Sequence, residues 1–229
     1  MKKKIVVFVG PPGSGKGSLS QLCVDRLGWK QLSTGALCRH HIATQTAIGK
    51  KIDFAIKSGK LINDEYIIQM VGDWIASIVD SAVGIILDGF PRTISQARIL
   101  KQFVHAKDTL CQLYVIRLTI SNVQVIQRLS QRRICENKTC QRTYSLNSCS
   151  KETSCAIEQC NACSGRLVCR KDDVPSVVRD RLVTYYENEE KLINFFDEMG
   201  YSILDINAHE PLEKVYKNFL DIVDIKGES

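Results

Sequence analysis

Apolar positions along the chain recur with two different periods. Ile5, Val6, Val7, Phe8 and Val9 form an unbroken β-branched and aromatic run, suited to a strand buried on both faces. Residues 84–87 and 112–116 read the same way, and 201–204 is a shorter candidate. Between these runs, spacings of three and four predict helices over 17–27, 64–78, 95–106, 122–131, 175–199 and 211–222. Strands alternating with helices predict an α/β fold of parallel strands joined by helical crossovers. Two stretches break the alternation. Residues 34–59 read as two short helical pieces split by Gly49, and 133–169 are polar and cysteine-rich with no sustained period. Both are expected to be insertions on a central core.

Composition narrows the class. The 229 residues are 44% hydrophobic and 24% charged, values that exclude wholesale disorder and supply a sizeable core. No apolar run approaches the roughly 18 to 20 residues of a membrane span. Lys2, Lys3 and Lys4 precede an apolar stretch that stops at Gly10, too short for a signal peptide, so a cytoplasmic protein is expected. The net charge of +6 is compatible with a phosphate-rich partner.

The most specific local feature is Gly10-Pro11-Pro12-Gly13-Ser14-Gly15-Lys16-Gly17-Ser18, placed between a buried-type strand and a helix. Glycines allow successive backbone N–H groups to turn inward around a phosphate, and the following helix adds its positive N-terminus. Lys16 contributes a point charge for the outer phosphates. The general pattern has Ser or Thr directly after the lysine; here Gly17 intervenes and the hydroxyl follows at Ser18.

Seven of the ten cysteines fall between 135 and 169. Cys135 and Cys140 form one close pair, Cys160 and Cys163 another, a spacing that suits four-thiolate structural zinc. Disulfides or free thiols are the alternatives, and Cys149, Cys155 and Cys169 stand as alternative ligands to any of the four. A site closed by four thiolates leaves no open position, so such a metal would be structural.

The motifs together resemble the adenylate kinase family, nucleoside monophosphate kinases on a P-loop NTPase core. Gly15-Lys16-Gly17-Ser18 is the variant of the phosphate loop typical of that family. Ser33-Thr34-Gly35-Ala36-Leu37-Cys38-Arg39 is similar to the start of the monophosphate-binding insertion, and residues 59–65 to its end. Asp88-Gly89-Phe90-Pro91-Arg92-Thr93, with Gln96 following, is the most specific string. Arg128 with Arg132 and Arg133, then Arg170-Lys171-Asp172-Asp173 with Arg179 and Arg181, complete six matches in order over nearly the whole chain. Ala36 departs from the family's acidic residue, and Asp205-Ile206-Asn207-Ala208 replaces its usual Asp-Gly turn.

The resemblance implies a parallel sheet flanked by helices, with a core of 1–32, 63–132 and 172–229, a helical monophosphate-binding domain at 33–62 and a cysteine-rich lid at 133–171. It implies phosphoryl transfer from ATP to AMP, giving two ADP, with magnesium. An already ionised phosphate oxygen attacks, so no carboxylate or histidine base is required; catalysis is positioning and charge stabilisation. By resemblance, Lys16, Arg92, Arg132, Arg170 and Arg181 carry the chemistry. ATP would meet Gly13, Ser14, Gly15, Lys16, Gly17, Ser18, Arg128, Arg132, Thr143, Tyr144 and Ala208. AMP would meet Thr34, Arg39, Lys60, Leu61, Ile62, Gly89, Arg92, Gln96, Arg170 and Arg181. Asp88, at the end of its strand, would fix magnesium's water shell. Asp172 and Asp173 are expected to order Arg170 or to start the next helix. Many family members carry a four-cysteine metal lid, which adds weight to zinc on Cys135, Cys140, Cys160 and Cys163, and Arg142-Thr143-Tyr144 fits that version.

Within the enzyme class a UMP/CMP kinase is the alternative reading; outside it, a nucleotide sensor without turnover. The cysteine-rich insertion has a single aromatic, Tyr144, and no basic run, so nucleic acid is not an expected partner. Both nucleotide sites lie on one polypeptide, so a monomer suffices. The four histidines match no chemical role and are read as surface or packing residues.

Overall fold

The computed structural model describes residues 3–57, 62–78, 81–106, 111–137, 139–140, 142–146 and 159–225. Five parallel strands form the main sheet: β1 (Lys3–Val9), β2 (Lys30–Ser33), β3 (Gly84–Asp88), β4 (Cys111–Thr119) and, further along the chain, β8 (Ile203–Asn207). Their spatial order is β2-β3-β1-β4-β8. The chain leaves the neighbours β1 and β3 in opposite directions, toward β2 on one side and β4 on the other. In open α/β sheets such a divergence opens a crevice beyond the carboxyl ends of the strands.

Alternation along β1 splits the core in two. Ile5, Val7 and Val9 face a layer that includes helices α4 (Asp64–Ile78) and α5 (Ile94–Ala106). Val6 and Phe8 face α1 (Lys16–Leu27) and the C-terminal α8 (Leu212–Ile222). Trp29 lies so close to Gly84 that a Cβ there would sit 2.3 Å from its ring. Helix α6 (Asn122–Gln131) buries Val125 and Leu129 against Val178 and Leu182 of α7 (Pro175–Glu198). Pro175, with no N–H to lose, opens that 24-residue helix.

The first insertion contains α2 (Thr34–Ala43) and α3 (Ala47–Lys57). The break between them falls at Thr44, Gln45 and Thr46, not at Gly49, which lies inside α3. Gly49 is there for contact: a Cβ would stand 1.9 Å from the His41 carbonyl oxygen, so α2 and α3 touch backbone to backbone. The described residues of the second insertion form a three-stranded antiparallel sheet, β6 (Thr143–Ser145), β5 (Arg132–Cys135) and β7 (Leu167–Val168), in the order β6-β5-β7. A short 3-10 turn, Lys171–Asp173, leads into α7. No helix among the described residues is long and apolar enough to cross a membrane.

Candidate functional site

The phosphate loop leaves β1 at Gly10 and enters α1 at Lys16. Gly15 caps that helix at φ 100°, a left-handed conformation that residues with a Cβ rarely adopt. The Lys16 ammonium folds back into the loop, donating to Gly10 O (2.6 Å), Pro11 O (2.8 Å) and Ser14 Oγ (3.2 Å). Lys16 is half-buried overall, but its amine is ringed by loop atoms. This desolvation pushes it down to about 8, Asp88 opposing and Arg92, Arg181 and Arg132 adding to the shift. Arg128 braces the loop from outside, donating to Ser14 O (3.4 Å) and Ala208 O (2.6 Å).

The second wall begins where β3 ends. Asp88 Oδ2 lies 3.6 Å from where a Gly17 Cβ would stand, so the carboxylate overlooks the first turn of α1. The following Gly89 has φ 81°, and a Cβ there would fall 2.9 Å from Arg92 Nη2. Its carbonyl accepts from Arg92 Nε (3.0 Å) and from the Thr34 hydroxyl (3.0 Å). Thr34 and Gln96 are buried polar residues, 6% and 4% exposed. The Gln96 amide accepts from the Arg92 backbone N–H (2.8 Å) and donates to Asp64 Oδ1 (2.7 Å). Asp64 Oδ2 accepts from the Thr93 hydroxyl at 2.6 Å.

The second insertion, with the 3-10 turn and α7 that follow it, supplies the third wall. Asp173 accepts from Arg132 Nε (2.7 Å) and, through its other oxygen, from Arg132 Nη2. Asp172 takes Arg170 through both oxygens (2.9 and 2.6 Å), and Arg181 donates to the Asp172 carbonyl (2.9 Å). Burial opposes ionisation of Asp172, but Arg170 and Arg181 hold its carboxyl below the usual range. Asp173 therefore orders Arg132 and does not cap α7, whose N-cap is Val174.

These walls share one electrostatic field. Lys16 feels Arg92, Arg132 and Arg181, while Arg39, lowered by burial, feels Arg170 and Arg132. Six cations thus gather around Asp88, Asp172 and Asp173. Such an excess of positive charge, on planar guanidiniums beside a glycine loop, is built to receive phosphate.

A family model described as adenylate kinase matches residues 8–201. The chain belongs to the adenylate kinase family. A curated relative named adenylate kinase from Thermosipho africanus is 33% identical over 220 residues, 95% of this chain and 98% of the relative. Others so named come from Treponema pallidum (strain Nichols), 33% identical over 93% of this chain and 95% of the relative, and Archaeoglobus fulgidus, 32% over 96% and 97%. As a family member, the protein is a nucleoside monophosphate kinase, a transferase that binds nucleotides.

In this adenylate kinase family member, the Sγ atoms of Cys135, Cys140, Cys160 and Cys163 all lie within 4.8 Å of one another. Cys135 and Cys163 are 3.4 Å apart, Cys140 and Cys160 3.6 Å. Tetrahedral zinc with bonds near 2.3 Å separates its sulfurs by roughly 3.8 Å, so donor set and spacing fit that metal. The Tyr144 hydroxyl, 3.1 Å from Cys160 Sγ and 2.6 Å from Asn161 Oδ1, draws the Cys160 thiol down to about 6. Cys169 lies outside this cluster; Cys149 and Cys155 lie outside the described residues.

Several residues expected from the sequence are less central in the structure. The Tyr144 hydroxyl is engaged with the cysteine cluster. Thr143 is exposed on β6, and Ser18 is exposed on the first turn of α1. Ile62 packs on the core, and Lys60 and Leu61 lie outside the described residues. The pairings of Asp64 with Gln96 and of Asp173 with Arg132 had no signature in the sequence, because both link positions about 30 to 40 apart along the chain.

Proposed function

We propose that the protein catalyses reversible transfer of the terminal phosphoryl group of ATP to AMP, giving two ADP. The observation that carries this reading is the convergence of six cations: Lys16 from the phosphate loop, Arg39 from the first insertion, Arg92 from beyond the end of β3, Arg132 and Arg170 from the second insertion, and Arg181 from α7. Two polyanions must meet for this reaction, and each wall brings cations for one of them or for the group in transit.

Lys16 and the loop amides would take the donor phosphates, with Arg128 bracing the loop. Arg39 and Arg92 would hold the acceptor's phosphate. Arg132, Arg170 and Arg181 would surround the group in transit, where their charge counters that developing on its oxygens. Each of these arginines already rests on a carboxylate at hydrogen-bond distance, so little reorganisation is needed as phosphate arrives. Magnesium, which the family uses with ATP, would neutralise donor charge. Asp88 fits it, as a carboxylate overlooking Lys16 and the start of α1. Buried Thr34 and Gln96 supply the polar contacts that favour an adenine base over other acceptors.

The four cysteines would hold a structural zinc ion, stiffening a lid whose small sheet has little core of its own. Closure of this lid (133–171) and of the monophosphate domain (33–62) would exclude water from the phosphoryl group.

The test is ADP formation with ATP, magnesium and AMP, CMP, UMP or GMP in turn. Turnover with AMP, abolished in Lys16→Ala and Arg92→Ala, is expected. Turnover mainly with CMP or UMP would overturn the acceptor assignment, and ATP binding without any turnover would make the protein a sensor.

A further inference from the structure

Gln96 can read a base only if its amide has a defined direction, because oxygen and nitrogen trade places on a half-turn. Two partners set that direction here. The Arg92 backbone N–H, a donor only, faces Oε1 at 2.8 Å. Asp64 Oδ1 faces Nε2 at 2.7 Å, and an ionised carboxylate only accepts. A reversed amide would set N–H against N–H and oxygen against carboxylate, in a residue 4% exposed. Asp64 is itself held. Its other oxygen accepts from the Thr93 hydroxyl at 2.6 Å, and that hydroxyl accepts from the Gln96 backbone N–H at 3.2 Å.

We propose that Asp64 is a positioning residue that fixes the polarity of the Gln96 amide and so sets the choice of adenine over a 6-oxopurine. This rests on the reading of AMP as acceptor. With both partners engaged, the amide keeps one N–H and one oxygen lone pair for a ligand. Adenine offers the complement, an acceptor at N1 and a donor at its 6-amino group. A 6-oxopurine offers the reverse, an N1–H donor and an O6 acceptor, and matches only the reversed amide. Asp64 never touches the base; it removes the alternative that would accept the wrong one.

The experiment compares kcat/KM for AMP and for inosine monophosphate, which differ only along this edge. In Asp64→Asn the side chain can accept or donate, so the acceptor-only anchor at Nε2 is lost and the Arg92 N–H alone still favours one direction. The AMP preference is expected to fall at least about tenfold, chiefly through KM, while the KM for ATP stays within about twofold. Asp64→Glu, which keeps an acceptor-only group, is expected to recover part of the preference. Should Asp64→Asn fail to fold, Asp64→Ser carries the same expectation with the same two substrates. An AMP preference in the folded variant within about twofold of the unmodified protein overturns the inference and leaves the AMP reading standing. An unmodified protein that does not turn over AMP overturns that reading, and this inference with it.

Discussion

Arg132 and Asp173 form a two-pronged ion pair at the base of the second insertion, with side-chain exposures of only 16% and 5%. Removing one member of a buried pair leaves the other charge without compensation, at about 3 to 5 kcal/mol. Asp173→Ala is therefore expected to destabilise the nucleotide-free protein by that order in urea unfolding. Saturating ATP and AMP should narrow the difference from the parent, because phosphate then offers Arg132 a substitute anion. Equal stability of parent and variant without nucleotide would refute the account.

Lys16 gives a pH signature of definite sign. Its folded value, about 8, lies below the ordinary 10.5, so between these limits the unfolded chain holds a proton that the folded chain has lost. Stability from this group accordingly rises with pH across that window. ATP should restore the ammonium, so its affinity should fall with rising pH above 8, by at most about tenfold per unit. Titration calorimetry at pH 9 in two buffers should register proton uptake on ATP binding, and none in Lys16→Met. Absence of uptake in the parent would remove the argument.

The cysteine cluster is expected to bind one zinc ion per chain, and its removal by chelator to lower the thermal midpoint. Tyr144→Phe deletes the hydroxyl next to Cys160 and should weaken zinc binding about 10- to 100-fold in chelator competition. Metal-free and metal-loaded protein with one midpoint would refute the zinc assignment.

Gly49→Val drives a side chain into the His41 carbonyl where α2 and α3 cross. A loss of about 1 to 3 kcal/mol is expected by chemical denaturation. A neutral outcome would mean that the two helices can part without cost.

Legibility in the sequence followed local information. β1 and β3 are buried on both faces and announce themselves as apolar runs, and β4 announces itself over 113–116. β2 was missed because Lys30, Gln31, Leu32 and Ser33 offer one apolar side chain, Leu32, on an edge strand held by pairing to β3. The last strand begins two residues later than its apolar run suggested, at Ile203, because its register is set by pairing with β4. β5, β6 and β7 are two to four residues long and gather around a thiol cluster, which leaves no periodic trace. Gly49 was misread because a glycine needed for helix contact looks, in sequence, like one that ends a helix. At the site, the motif residues were legible one at a time. Their mutual support was not: Asp64 under Gln96 and Asp173 under Arg132 depend on chain segments brought together by the fold.

β1 lies at the centre of the main sheet, paired on both sides and covered on both faces, and it carries the phosphate loop at its end. Its amides should be among the last to exchange with solvent, whereas β7, two residues long, has little to hold it closed. Warming should therefore loosen the lid sheet well before it disturbs the donor-phosphate grip. In that interval the protein would still hold ATP but shield it poorly, and phosphoryl groups would pass to water: a slow release of inorganic phosphate would precede any loss of ATP binding.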